Sequence, residues 1–240
     1  MDGIDLHNGN CFDIIPGLPD RSVDLLLTDP PYDIDVHDGG RMYANKKMQP
    51  AIDGLEKSDI NRSYDIEGFS DIVMPKFRTG VNAYFWCNKR QIYDYMKCWV
   101  GRHGCRFEII KWFKTNAIPN YSNKYMTDTE YCLYFYNGAG HCHPASYEDA
   151  STLYMAPINQ TDKKLYNHPT IKPLKLIERM VLNSSLEGET VLDPFMGSGT
   201  TGEACARHGR KFIGIELDKT YFATASRRIS EPEHGQIELF

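Results

Sequence analysis

Apolar residues along the chain fall in short runs broken by turn formers, and the runs switch between strand-like and helix-like spacing. Val23-Asp24-Leu25-Leu26-Leu27-Thr28 is an apolar run stopped by Asp29-Pro30-Pro31, which predicts a buried strand ending in a rigid turn. Val81 to Cys87 (VNAYFWC), Arg106–Phe113 and Glu130–Tyr136 are rich in aromatic and β-branched residues and predict three more strands. Asn88 is placed to cap a helix running to about Val100, with Ile92, Tyr95, Met96 and Trp99 on one face. Pro173 opens a second helix whose apolar face includes Leu174, Ile177 and Val181. Thr190-Val191-Leu192 predicts a strand, Thr201–His208 a helix ending at Gly209, and Lys211 to Leu217 another strand, after which Asp218 caps a last helix. Strands alternating with helices predict an α/β fold built on a doubly wound, mostly parallel sheet.

Two stretches lack either period. Residues 33–65 are polar, contain Gly39-Gly40, and predict a mobile loop; residues 137–167 also read as loop. No repeat and no break in composition divides the chain, so residues 1–240 are expected to form a single domain.

The 240 residues are 41% hydrophobic and 25% charged, the ordinary balance of a soluble globular protein. No apolar run approaches the roughly 18–20 residues of a membrane span, and the start lacks a basic region followed by an apolar one. Neither a membrane protein nor a secretory precursor is expected. Seven cysteines, none in a Cys-x-x-Cys pair, predict reduced thiols in the cytoplasm. His141-Cys142-His143 is not expected to bind metal, because three adjacent residues cannot converge on one ion and no second pair is near. The net charge of −5 is unevenly spread: −8 over residues 1–40, +5 over 41–130 and −2 over 131–240. That distribution suits a polyanion on one face and a cation in a pocket, although a solvated surface accounts for it as well.

Two constellations carry chemistry. Gly197-Ser198-Gly199-Thr200-Thr201-Gly202 matches G-x-G-x-x-G between a predicted strand and helix, and Glu216 closes the next strand, near the spacing at which an acid meets a ribose. Alone, this pattern fits a structural glycine turn equally well. A P-loop is disfavoured, because its signature needs Lys directly after a glycine, and Thr200 follows Gly199. The second is Thr28-Asp29-Pro30-Pro31-Tyr32 at the carboxyl end of a strand, where open α/β sheets place ligands. Two prolines remove two N–H donors, so the turn presents carbonyls. Asp29 adds an acceptor and Tyr32 an aromatic face, a set suited to an amino group on a planar ring.

Together the two halves resemble the S-adenosylmethionine-dependent amino-methyltransferases of DNA. Asp29-Pro30-Pro31-Tyr32 matches their D/N/S-P-P-Y catalytic signature, and Asp193-Pro194-Phe195-Met196-Gly197-Ser198-Gly199-Thr200-Thr201 their D-P-F-x-G-S-G-T-T signature. His168-Pro169-Thr170-Ile171-Lys172-Pro173 matches the H-P-T-x-K-P segment of the β-order subgroup, in which the catalytic signature comes first, as here. Gly9-Asn10-Cys11-Phe12-Asp13 is a weaker match near the amino terminus, and the motifs span nearly the whole chain.

The resemblance implies the methyltransferase fold with S-adenosylmethionine as cofactor and DNA, its target base flipped out, as substrate. It implies that Asp29 and the Pro30 carbonyl accept from the target amine while Pro31 stiffens the turn and Tyr32 stacks on the base. Asp193, Phe195, Gly197, Ser198, Gly199 and Thr200 would line the methionine end, Glu216 the ribose and Asp13 the adenine amine, with Asp29 at the same pocket. Lys172 would contact the cofactor or pack the motif. Asp before Pro-Pro-Tyr leans towards the N6 amine of adenine; the N4 amine of cytosine is the alternative. Methylation at carbon-5 would want a cysteine after proline, and the chain has no Pro-Cys. Arg41, Lys46 and Lys47, with Lys57 and Arg62, are candidates for phosphate contacts. Lys111, Lys114 and Lys124 flank Asn116 and Asn120 as a second basic stretch. The family carries its sequence-reading region between Tyr136 and His168; that region is short here, so a small recognition insertion is expected. A homodimer is a further family expectation. Remoter readings are a nicotinamide-dependent dehydrogenase, which leaves two motifs unexplained, and an inactive DNA-binding scaffold.

Overall fold

The computed structural model describes residues 3–32, 64–117, 125–138, 142–158, 160–166 and 170–231. Among the described residues, eight strands form one sheet: β1 (Ile4–Asn8), β2 (Leu25–Thr28), β3 (Asn82–Cys87), β4 (Arg106–Lys114), β5 (Thr129–Tyr136), β6 (Leu153–Ala156), β7 (Thr190–Asp193) and β8 (Lys211–Glu216). The spatial order is β1-β8-β7-β2-β3-β5-β4-β6. Pairing is parallel from β1 through β3 and again between β4 and β6; β5 runs antiparallel to both β3 and β4. The expected doubly wound α/β sheet is therefore present.

Burial follows the strand period of two. Leu26, Ala83, Phe85 and Phe135 pack on one face of the sheet, whereas Leu25, Leu27, Tyr84, Trp86 and Val191 pack on the other. The helices are α1 (Cys11–Ile14), α2 (Ile66–Val73), α3 (Ile92–Tyr95), α4 (Gln160–Leu165), α5 (Leu174–Ser184), α6 (Thr200–Arg207) and α7 (Lys219–Ser230). The first face is covered by α1, α2, α3 and the turns that extend them; α5, α6 and α7 cover the second. Among the described residues no helix is long and apolar enough to cross a membrane.

Some elements differ from the sequence reading. The expected helix from Asn88 begins at Ile92, because Asn88 Oδ1 accepts from the N–H groups of Arg90 and Gln91 and caps a turn instead. From Met96 to Arg102 the helix widens into a π-helical turn. The stretch 137–167 is not all loop: β6 adds to the sheet edge, and α4 follows it. The strand β1 and the helix α2 carry only short apolar patterns and were not anticipated. The proposed mobile loop lies outside the described residues, save Tyr64 and Asp65 at its end.

The strands β2 and β7 are adjacent, with Leu25 opposite Val191 and Leu26 opposite Leu192. From β7 the chain winds outward through α6 to β8; from β2 it winds the other way to β3. Strand order thus reverses between them, and a crevice opens at their carboxyl ends.

Candidate active site

Both sequence constellations open from that crevice, one after β2 and one after β7. Thr28 Oγ1 donates to Asp193 Oδ1 at 2.8 Å, and the N–H of Phe195 donates to the same oxygen at 3.2 Å. A cavity of about 700 Å³ lies above, lined by Asp29, Pro30, Pro31 and Tyr32 from one turn and by Asp193, Phe195, Gly197, Ser198 and Thr200 from the other. That volume is typical of a small-molecule site.

In the first turn, Tyr32 Oη donates to Asp29 Oδ1 at 2.6 Å, and Lys172 Nζ donates to Asp29 Oδ2. Gln91 Nε2 donates to the Pro31 carbonyl at 2.9 Å and fixes the turn from the β3 side. Lys172 also donates to Tyr32 Oη at 3.0 Å and lies over the Tyr32 and Trp86 rings, 5.5 and 5.1 Å from their centroids. Beyond it stands Glu130 on β5, 3.3 Å from Lys172 and 2.6 Å from Lys114. Burial pushes the Asp29 carboxyl up, only partly offset by Lys172 and Tyr32. Burial also works on Glu130, but Lys172 and Lys114 outweigh it and hold that carboxyl below its usual range. Lys172 is raised because Asp29 and Glu130 together overcome the burial that would lower it.

In the second turn, Gly197 has φ +51° and its N–H donates to Glu216 Oε2 at 2.9 Å; Glu216 Oε1 accepts from the N–H of Asp218 at 2.8 Å. Glu216 therefore shapes the loop and lines the cavity at once. Gly199 has φ +83°, and a Cβ there would stand 2.9 Å from the Ala225 Cβ. It is not among the lining residues; its work is to let α6 start against α7. Arg228, buried on α7, donates to Thr200 Oγ1 at 2.9 Å and lies 3.3 Å from Ser198 Oγ, while Glu203 balances its charge. Burial pushes the Asp193 carboxyl up to about 7 despite its hydroxyl and N–H donors.

Most expected residues thus meet in one place. Asp13 does not: it is exposed on α1, and Gly9, Asn10, Cys11 and Phe12 line the cavity instead. Lys172 lines the cavity too, and there it is engaged with Asp29 and Glu130. Arg41, Lys46 and Lys47 lie outside the described residues, as do Lys57, Arg62, Asn120 and Lys124. In the second basic stretch, Lys114 is committed to Glu130, and Asn116 Oδ1 accepts from the N–H of Ile158 at 2.7 Å. Glu130, Gln91 and Arg228 were missed. Each comes from an element with no motif of its own.

The sequence profile of the N6/N4 methyltransferase family, described as DNA methylase, matches residues 23–227. The chain belongs to this DNA methylase family. Among its curated relatives, the type II methyltransferase M2.DpnII of Streptococcus pneumoniae is 30% identical, with 93% of this chain and 88% of that protein covered. The type II methyltransferase M2.MboI of Moraxella bovis is 28% identical over 94% of this chain and 87% of its own. The crystal structure of the M1.HpyAVI–SAM complex superposes with a TM-score of 0.68 at 28% identity, covering 94% of this chain and 99% of that one.

The protein is an S-adenosylmethionine-dependent DNA methyltransferase, and the chemistry of its cavity fits that cofactor. Asp29, Asp193, Glu216 and Asp218 line it, and its lysine, Lys172, is already matched by Asp29 and Glu130. Such a lining favours a cation. Phe12, Tyr64, Phe195 and Tyr221 add apolar faces for a planar ring.

Proposed function

We propose that this methyltransferase acts on the N6 amine of adenine in DNA, with the target base turned out of the duplex into the cavity. The carrying observation is the placement of Asp29-Pro30-Pro31-Tyr32: a half-buried carboxylate, a rigid carbonyl turn and an aromatic ring share one cavity with the 193–200 turn. S-adenosylmethionine supplies, when bound, a methyl group on a cationic sulfur. Glu216, Phe195, Gly197, Ser198 and Thr200 would hold it.

An exocyclic amine on an aromatic ring is a poor nucleophile, since its lone pair is delocalised. Asp29 and the Pro30 carbonyl accept its two N–H bonds, which favours a pyramidal nitrogen with its lone pair directed away from them. An ionised carboxylate has about four acceptor positions. Asp29 therefore keeps capacity beyond the Tyr32 and Lys172 bonds, and its raised pKa suits it to hold the proton the amine gives up. Tyr32 offers its ring to the base; the Gln91 bond to the Pro31 carbonyl keeps that turn from yielding. Asp instead of Ser before Pro-Pro-Tyr supports adenine over cytosine.

Two relatives bear the type II methyltransferase name, which supports a cytoplasmic role in a restriction-modification system. Phosphate contacts through Arg41, Lys46 and Lys47 belong to the same proposal. The test uses tritiated S-adenosylmethionine and duplexes in which adenine is replaced by purine, or cytosine by 2-pyrimidinone, each lacking the amine. Loss of incorporation on the adenine-free duplex alone supports the reading. Loss on the cytosine-substituted duplex alone transfers the protein to the N4 class.

A further inference from the structure

A row of alternating charges leads away from the transfer site: Asp29, Lys172, Glu130 and Lys114. Lys172 is 5% exposed, with Asp29 and Glu130 at 25% on either side of it and Lys114 at 15% beyond, so the ammonium is the most buried member of the row. The Lys172 ammonium donates to Asp29 Oδ2 and Tyr32 Oη, and Glu130 Oε2 faces it at 3.3 Å as an ion pair without a hydrogen bond. Asp29 holds only a share of that charge.

We propose that Glu130 is a positioning residue for methyl transfer: by dividing the Lys172 ammonium with Asp29, it sets how firmly that ammonium holds the carboxylate that must accept from the target amine. This rests on the assignment of Asp29 to that amine.

The argument is one of competition. Without Glu130, Lys172 directs its charge at Asp29 alone, which tightens that pair and makes the carboxylate harder to protonate. Without Lys172, burial acts on Asp29 nearly unopposed and the carboxylate takes up a proton more readily. Other groups near Asp29 are Tyr32 in its own turn, Cys87 on β3, Tyr95 on α3, Cys132 on β5 and Asp193 after β7. None of these is a cation that could replace Lys172. Lys163 on α4 is near enough to Glu130, Lys172 and Lys114 to interact electrostatically with each.

The test is the pH profile of single-turnover transfer by the full chain, with DNA and cofactor saturating. Glu130→Gln should move the acidic limb to lower pH by about one unit and slow the plateau several-fold, while Glu130→Asp restores the limb. Lys172→Met should move it to higher pH. Cofactor calorimetry on each variant confirms an intact fold; if Lys172→Met does not fold, the Glu130→Gln limb decides alone. A Glu130→Gln limb that stays in place, or shifts the same way as Lys172→Met, overturns the proposal. Asp29→Ala separates the two claims. Transfer that survives it removes the assignment of Asp29 itself; transfer lost there, with an unmoved Glu130→Gln limb, removes only the role of Glu130.

Discussion

Thr28 Oγ1 donates to Asp193 Oδ1 across the ends of β2 and β7, so the residue before the Asp29–Tyr32 turn grips the first residue of the Asp193–Thr200 turn. Both residues are buried. Thr28→Val keeps the shape and removes the donor, at a cost of about 1–3 kcal/mol for an acceptor left short of partners. Thermal unfolding should show a lower Tm, and cofactor affinity and transfer rate should fall together. A loss confined to one of them would mean that the two turns are independent.

Asp193 makes the protein sensitive to pH. Its carboxyl is raised to about 7 in the folded state, mainly by burial, so the native protein holds this proton more tightly than the unfolded chain. The stability it contributes is fully present below the ordinary carboxylate value and declines as pH rises to about 7. A cation in the cavity favours the ionised form, so cofactor binding near neutral pH should release a proton. Calorimetry in two buffers of different ionisation heat measures it. Wild type should show the release, and Asp193→Asn should not.

Gly199→Ala should destabilise by about 2–4 kcal/mol, the sum of a left-handed backbone penalty and an overpacked contact with Ala225. Denaturant unfolding checks this. A cost below about 0.5 kcal/mol would show that α6 and α7 can part without penalty.

Asp29→Ala should lower transfer by at least about a hundredfold while cofactor binding stays within a few-fold, because the role proposed for Asp29 is to accept from the target amine. Gly197→Val, at φ +51°, should instead weaken cofactor binding strongly. Equilibrium binding beside single-turnover rates separates the two, and the reverse pattern would invert the division of labour.

Much of this architecture was legible because it is local. Leu25–Thr28 alternates between two cores, Asp218 caps α7 through the N–H groups of Thr220 and Tyr221, and Asp29–Tyr32 and Asp193–Thr200 are contiguous motifs. What escaped is non-local or depends on competition. Asn88 has the chemistry of a helix cap but spends it on a turn ahead of α3. β6 is only four residues long and lies at the sheet edge, where pairing with β4 decides what a short pattern cannot. Glu130 looks like a polar residue on an aromatic strand until folding sets it between two lysines. Asp13 sits in a plausible motif, yet the single turn of α1 directs it outward.

The central claim is the position of the new methyl group. DNA from cells expressing the protein, digested to nucleosides and analysed by mass spectrometry, tests it most directly. The account predicts N6-methyladenine, absent when Asp29→Ala is expressed instead. N4-methylcytosine as the only modified nucleoside would contradict it.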